Sequence, residues 1–256
     1  MSTTFGDIIR EWRGLRRFSQ LALSLEAETS TRHLSFLESG RASPSRAMVL
    51  KLTEALQMPK AAANHALTAA GFAPAYPQLG ADAADLAPIR AAVEMTLANH
   101  EPFPAVAIDQ HWDITAANRA ALALFSALGL AGQTNMLEAI TVAAAGDAIE
   151  NWEETALLAL QRARAELIAL GGDARLKEIA DRLAGHPRLA DGELSSINLN
   201  QAVIPTRFKT NGARLSMFST IAQFGSVQDV TASEIRIEMM FPADEATWRY
   251  FHAAVN

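Results

Sequence analysis

The sequence predicts two folds on one 256-residue chain: an all-helical head over residues 1–71 and a larger α+β body over residues 85–256. Three observations carry this reading. The stretch from Ser19 to Pro44, SQLALSLEAETSTRHLSFLESGRASP, reads as two short helices around a tight turn, then a loop and a helix start. After about residue 200, helical periodicity gives way to two runs flanking Asn211-Gly212, the strongest short hairpin signal. Charge divides the same way. Residues 1–71 hold nine basic and six acidic side chains, a balance of +3, so the remainder carries −9 within an overall −6.

In the head, Phe5, Ile8, Ile9, Trp12 and Leu15 fall on one helical stripe, with Thr4 and Asp7 as an N-terminal capping arrangement. Ser19 caps a second helix that buries Leu23 and Ala27. A third runs from about Ser30 to Glu38, and Gly40 ends it in the left-handed conformation. Ser43-Pro44 is read as a cap followed by proline at the first helical position, opening a fourth helix with Val49, Leu52 and Leu56 inward. A fifth helix, about 60–70, stops at Gly71. Residues 72–84, FAPAYPQLGADAA, have the proline and glycine content of a linker.

The body starts with an amphipathic helix over 86–99. Residues 105–109 and 112–116 form a hairpin around Asp109-Gln110-His111. Asn118 caps a helix over 119–128, and Ala-rich helices follow at 136–146, 152–170 and 174–184, punctuated by Gly171-Gly172 and Gly185. Residues 201–210 and 213–224 pair across Asn211-Gly212. In 234–241, Ile235, Ile237, Met239 and Phe241 alternate with Arg236, Glu238 and Met240, the pattern of a half-buried strand. The order predicts an antiparallel sheet covered by helices on one face.

Composition excludes several functions. Half the residues are apolar, so a packed core is expected and global disorder is not. Without cysteine there are no disulfides, thiolate metal sites or cysteine nucleophiles. No apolar run is long enough to span a membrane, and the N-terminus lacks a signal-peptide pattern, so a soluble cytoplasmic protein is expected. His100, His111 and His186 show no metal spacing, and no metal or cofactor is expected. There is no phosphate-cradling glycine loop and no nucleophile elbow, so no enzyme is expected.

The spacing over Ser19–Pro44 is the scaffold that places one short helix in the DNA major groove, and double-stranded DNA is the expected partner. On a helical wheel, Leu34 and Leu37 point toward the first two helices; Arg32, Ser35 and Phe36 fall on the opposite arc, with His33 beside them. Arg32 suits a bidentate contact to guanine and Phe36 a thymine methyl. Ser30 and Thr31 lie at a helix N-terminus, where backbone N–H groups attract phosphate. Gln20 opens the second helix, and Arg10, Arg13, Arg41 and Arg46 supply backbone charge. One third helix covers about 4–6 base pairs, so a homodimer on a palindrome is expected. In the body, Val106, Ile108, Trp112, Ile114, Phe125, Met217, Phe218, Phe224 and Met239 are candidates to line an apolar cavity or simply to fill the core. Arg207, with Lys209 and Arg214, could anchor a carboxylate or be a solvated hairpin charge.

Residues 8–56 resemble the helix-turn-helix of the Xre and lambdoid phage repressor superfamily. The longer string STRHLSFLESGRASPSRAMVLKLTEAL, followed by AAGFAPAY, is similar to a narrower group, the MmyB-like regulators. PAVAIDQHWDITAANRAALALF, SMFSTIAQFGSVQDVTASEIRIE and FPAD continue the match through the second half. This resemblance implies a five-helix lambda-repressor-like head and a PAS-like body that binds a small apolar, fatty-acyl-like ligand and contributes to dimerisation. It implies a transcriptional regulator; the alternative is a DNA-binding regulator whose body is a ligand-free dimerisation or interaction module. Two positions depart from the family pattern. Glu28-Thr29 stands where the turn usually has glycine then valine, and Ser24 replaces the more usual alanine.

Overall fold

The computed structural model describes residues 4–142, 147–189, 203–210 and 212–253. The chain divides into two compact units, one holding residues 1–79 with 165–173 and 228–230, the other holding the rest.

The head is built from α1 (Phe5–Leu15), α2 (Gln20–Glu26), α3 (Thr31–Glu38), α4 (Arg46–Ala55) and α5 (Lys60–Ala69). Their starts follow local chemistry. Thr4 and Asp7 form a reciprocal capping box on α1, and the Ser19 and Ser30 hydroxyls accept from Ala22 and His33 amides. At α4 the structure corrects the sequence reading. Ser45, not Ser43, is the cap, accepting from the Met48 amide, so Pro44 lies before the helix rather than at its first position. Gly40, at φ +72°, closes α3. Ile9, Leu23, Leu34, Leu37, Val49, Leu52, Leu56 and Leu67 make one buried cluster from all five helices.

Residues 72–84 are partly tied down. The Asn64 side chain accepts from the Ala75 and Tyr76 amides at 2.9 and 3.0 Å and donates to the Tyr76 carbonyl at 2.7 Å. The expected linker therefore begins with a segment held to α5.

Beyond the five head helices the chain forms α6 (Ala87–Asn99), β1 (Ala105–Ile108), β2 (Ile114–Ala117), α7 (Arg119–Ala127), α8 (Met136–Thr141), α9 (Trp152–Ala169), α10 (Ala174–Ala184), β3 (Thr206–Thr210), β4 (Ala213–Gln223), α11 (Val230–Glu234), β5 (Arg236–Pro242) and α12 (Glu245–Ala253). The strands form one antiparallel sheet in the order β2-β1-β5-β4-β3, a PAS-like arrangement. β3 starts later than expected, at Thr206, and the expected residues 201–202, 143–146 and Asn211 lie outside the described residues. Thr210 pairs with Ala213 across that turn, and Gly212 has φ +90°.

Two expectations about the sheet are corrected. Helices cover both faces rather than one. Val93 and Leu97 of α6 pack on the face of Ala105, Ala107 and Ile237, while Glu238, Met240, Ser219 and Met217 point to the other. β5 is also more than half-buried. It is the central strand, and Arg236 and Glu238 are buried along with Ile237 and Met240.

Asn118 fixes the corner where α6, β1 and α7 meet. It is 6% exposed. Its Oδ1 accepts from the Ala105 and Ala121 amides at 3.0 and 2.9 Å, and its Nδ2 donates to the Leu97 and Phe103 carbonyls at 3.2 and 2.8 Å. All four valences of one amide are spent on backbone, so Asn118 is both a helix cap and a three-way tie. Truncating it removes a cap and leaves buried partners unmet. Asn118→Ala should lower stability by about 3 kcal/mol in urea unfolding, and Asn118→Asp, which keeps only the acceptor contacts, should fall between it and the wild type.

Candidate functional site

Two sites emerge, one on the head and one in the body. On the head, α1 and α3 approach so closely that a Cβ at Gly6 would lie 2.6 Å from the Glu38 carbonyl oxygen. Only glycine fits there. The crossing brings Arg13 to Glu38 as a two-pronged ion pair, Nε to Oε1 at 2.7 Å and Nη2 to Oε2 at 2.9 Å. Gln20 Nε2 donates to Glu38 Oε2 at 2.8 Å, and Arg10 donates to the Glu38 carbonyl. Arg13 and Gln20, candidates for DNA contact by position, therefore turn inward onto one carboxylate, while Arg10, also a candidate, stays half exposed and pairs with Asp7 at 3.4 Å. Arg13 is 18% exposed and Glu38 4%.

Burial alone pushes the Glu38 carboxyl up. The hydrogen bonds from Arg13 and Gln20 and the charges of Arg13 and Arg10 outweigh it and hold the carboxyl below its ordinary value. The hydrogen bond to Glu38 raises Arg13 in turn, against the opposing effect of its burial.

The outward face of α3 is smaller than the sequence list. Arg32 is exposed, its guanidinium 5.4 Å from the centre of the Phe36 ring, with Ser35 and His33 half-buried beside it. Ser30 is exposed and caps the helix. The Thr31 hydroxyl instead shares a 3.0 Å hydrogen bond with Ser24, explaining why a serine is accommodated at that buried position. Arg41 is exposed just beyond α3, and Arg46 donates to the Ala73 carbonyl at 2.6 Å. Among the described residues, no carboxylate lies within pairing distance of Arg32 or Arg41. Glu28 adopts φ +47° in the turn between α2 and α3, and Lys51 neutralises its carboxylate at 2.7 Å, lowering its pKa.

In the body, a cavity of about 570 Å³ opens between the sheet and helices α7 to α9. Of the sequence candidates, Trp112, Phe125, Met217 and Phe218 line it. Val106 and Ile108 are buried within β1 outside the lining, and Ile114 lies in β2. Phe224 and Met239 pack with α6 on the opposite face of the sheet. Arg207 is 45% exposed, pairs with Glu154 at 3.5 Å and is not among the residues that line the cavity. Missed from the sequence were Thr155, Leu158, Ala159 and Arg162, although their spacing is a stripe on one side of α9. Glu238 was missed because strand alternation placed it on a solvent face.

Arg162 Nη1 donates to Glu238 Oε2 at 3.0 Å, and the guanidinium stacks 4.2 Å from the Trp112 ring centre. Ser219 Oγ donates to Glu238 Oε1 at 2.8 Å. Asp109, His111 and Asp113 also come together, but their contacts build the β1–β2 turn. Asp109 Oδ1 accepts from the His111 and Asp113 amides, and Asp113 meets Asn135 and Arg175.

Removing the Glu38 charge leaves the partly buried Arg13 without its counter-charge, so Glu38→Gln should cost about 3 kcal/mol at neutral pH. Because the folded-state pKa is lowered, this contribution is fully present above the ordinary carboxyl value of 4.5 and is lost as pH falls through the folded value. Chemical unfolding of both proteins across the acid range should show the gap closing below pH 4.5.

Residues 89–254 match the family of the MmyB-like transcription regulator ligand binding domain, and residues 9–61 match the helix-turn-helix family. Among solved structures, the chain is similar to "Structure of an RNA-binding Light-Oxygen-Voltage Receptor" at 11% identity and a TM-score of 0.28, covering 100% of this chain and 64% of that one. No curated protein matches the chain.

Proposed function

Since the chain belongs to the MmyB-like transcription regulators, DNA-binding proteins with a ligand-binding domain, we propose that it is a sequence-specific regulator controlled by a small apolar, fatty-acyl-like molecule. The observation that carries the ligand half is the cavity of about 570 Å³, lined mainly by aliphatic, aromatic and methionine side chains. That size suits a small organic molecule. The head, residues 1–71, reads DNA through the outer face of α3, and the body, residues 85–256, holds the ligand. Two copies act together, since one α3 spans too few base pairs to specify an operator. The ligand regulates by favouring one arrangement of the protein over another; equal affinity for both would change nothing.

Arg32 is the side chain best placed for direct readout, and Arg41 for phosphate. Arg32→Ala should weaken operator binding by about 10- to 100-fold and relax selectivity at one base pair. Arg41→Ala should weaken specific and scrambled DNA alike. Gel shifts on both DNAs distinguish these outcomes; equal loss on both from Arg32→Ala would reduce that residue to a phosphate contact. For the ligand half, native mass spectrometry of the purified protein should show an added apolar molecule. A chain that stays at its bare mass and takes up no aliphatic compound would instead favour a ligand-free interaction module.

A further inference from the structure

One edge of the sheet is left open. β4 runs past the start of β3, whose first residue, Thr206, pairs with Met217, while β5 follows β4 on to Gln223. The Ala243 amide donates to the Ser216 carbonyl at 2.7 Å, and Thr210 pairs with Ala213 across the hairpin turn. Antiparallel alternation then turns the backbone groups of Phe218, Thr220 and Ala222 toward β5 and those of Ser219, Ile221 and Gln223 away from it. Among the described residues, these outward amides and carbonyls meet no partner. All three residues are exposed, Ile221 at 43%.

The other edges are managed. β2 is only 4 residues long, and its Ile114 amide donates to the Thr134 carbonyl at 2.7 Å. Outside β3, the Arg207 amide donates to the Asn151 side chain and the Arg207 carbonyl accepts from the Glu150 amide. Arg207 and Lys209 add charge along that edge. Residues 219–223, STIAQ, have no charge, no proline and no bulge against β5. An edge of this kind is a template for a further strand.

We propose that the open edge of β4 pairs antiparallel with the same edge of a second copy, about a two-fold axis at Ile221. This supplies a contact for the two-copy reading and rests on it. The run is self-complementary. With Ile221 opposite the partner's Ile221, Ser219 meets the partner's Gln223, and Gln223 meets the partner's Ser219. Two exposed isoleucines then cover each other at the axis, a polar pair flanks them on either side, and no like charges face one another. Ser219, Ile221 and Gln223 all fall at hydrogen-bonded positions of such a ladder, so each outward amide and carbonyl gains a partner. Ser219 also lines the cavity, so the edge and the ligand site share a residue.

The test uses the full chain. Sedimentation from about 1 to 100 μM should show a monomer–dimer equilibrium in the micromolar range, as suits a contact smaller than a standard interface. Ile221→Pro removes an amide that β5 does not use, and proline is tolerated on an edge strand, so the variant should fold while its dimer weakens at least about tenfold. The chain has no cysteine, so single cysteines report the register. Ile221→Cys should give a disulfide-linked dimer under mild oxidation, since facing Cα atoms of a hydrogen-bonded pair lie about 5.5 Å apart. Gln223→Cys should not, because the partner's Gln223 lies about 13 Å further along the strand. If Ile221→Pro folds and still dimerises like the wild type, or if Gln223→Cys cross-links as readily as Ile221→Cys, the edge proposal is overturned while the two-copy reading stands. A wild type that stays monomeric also overturns the edge proposal; the two-copy reading falls with it only if one copy suffices to saturate an operator in gel shifts. Thermal unfolding checks that each variant is folded, and the cysteine pair decides the matter should Ile221→Pro not fold.

Discussion

A charge removed from water must be cancelled where it lies, and that constraint organises both units of this chain. In the head, Glu38 closes the C-terminal turn of α3 in a nearly dry position and draws Arg13, Gln20 and the Arg10 guanidinium onto itself. The geometry is demanding. Two prongs of one guanidinium on one carboxylate fix both distance and orientation, which a lysine could not do. Gly6 lets the two backbones come close enough for it. The pair and the glycine are therefore one device: the glycine sets the approach of α1 to α3, and the ion pair sets the register. Hydrophobic burial around Leu34 and Leu37 supplies most of the stability, but it is not directional. The ion pair makes α3 present one face and not another.

That division of labour accounts for which basic side chains remain available on the surface. Arg13 and Gln20 hold the scaffold, Arg10 lies at its exposed rim between Asp7 and the Glu38 carbonyl, and Arg32 and Arg41 remain outside it. Arg32 is not loose, because stacking on Phe36 one turn further along restricts where its guanidinium can go. An arginine restrained in this way loses less conformational entropy on meeting a planar acceptor. The acidic body and basic head then have a simple electrostatic sense, since the surplus positive charge lies on the unit that carries α3.

Periodic apolar spacing and caps were readable from the sequence because they are local. The five head helices, the helix after Asn118, the β1–β2 hairpin and the β3–β4 pairing all follow from residues within a few positions of each other. The α4 start was misplaced by two residues because Ser43 and Ser45 are both competent caps, and only packing decides between them. Contacts made across the fold were not readable. Arg236 and Glu238 alternate with apolar residues as a solvent face would, yet β5 is central and both are buried against partners from distant segments, Asp109 and Arg162. The same limitation explains the cavity. Trp112, Phe125, Met217 and Phe218 reach it, whereas Phe224 and Met239 have the same chemistry on the opposite face of the sheet. Which face a strand residue takes depends on register against its neighbours, and a single strand does not contain that information.

The turn between α2 and α3 shows how a local misfit is accommodated. Glu28 holds a left-handed backbone where glycine would be unstrained, at a cost of about 1 kcal/mol. Its ion pair with Lys51 offsets little of this, since both side chains are well exposed and such pairs contribute about 0–1 kcal/mol. What the pair does achieve is electrostatic: it cancels a negative charge one turn before the N-terminus of α3, on the unit whose surplus charge is positive. The geometry of the turn is enforced from elsewhere. Thr29 donates its amide to the Ser24 carbonyl at 2.8 Å, Ala27 is buried beneath the turn, and the Ser24 and Thr31 hydroxyls join α2 to α3 at 3.0 Å. With both helices held by a core that includes Leu23, Leu34 and Leu37, each buried leucine contributes about 1.5–3 kcal/mol, more than the strain of one residue. The turn therefore takes its shape from the helices it joins, and glycine at that position is a convenience of the fold rather than a condition for it.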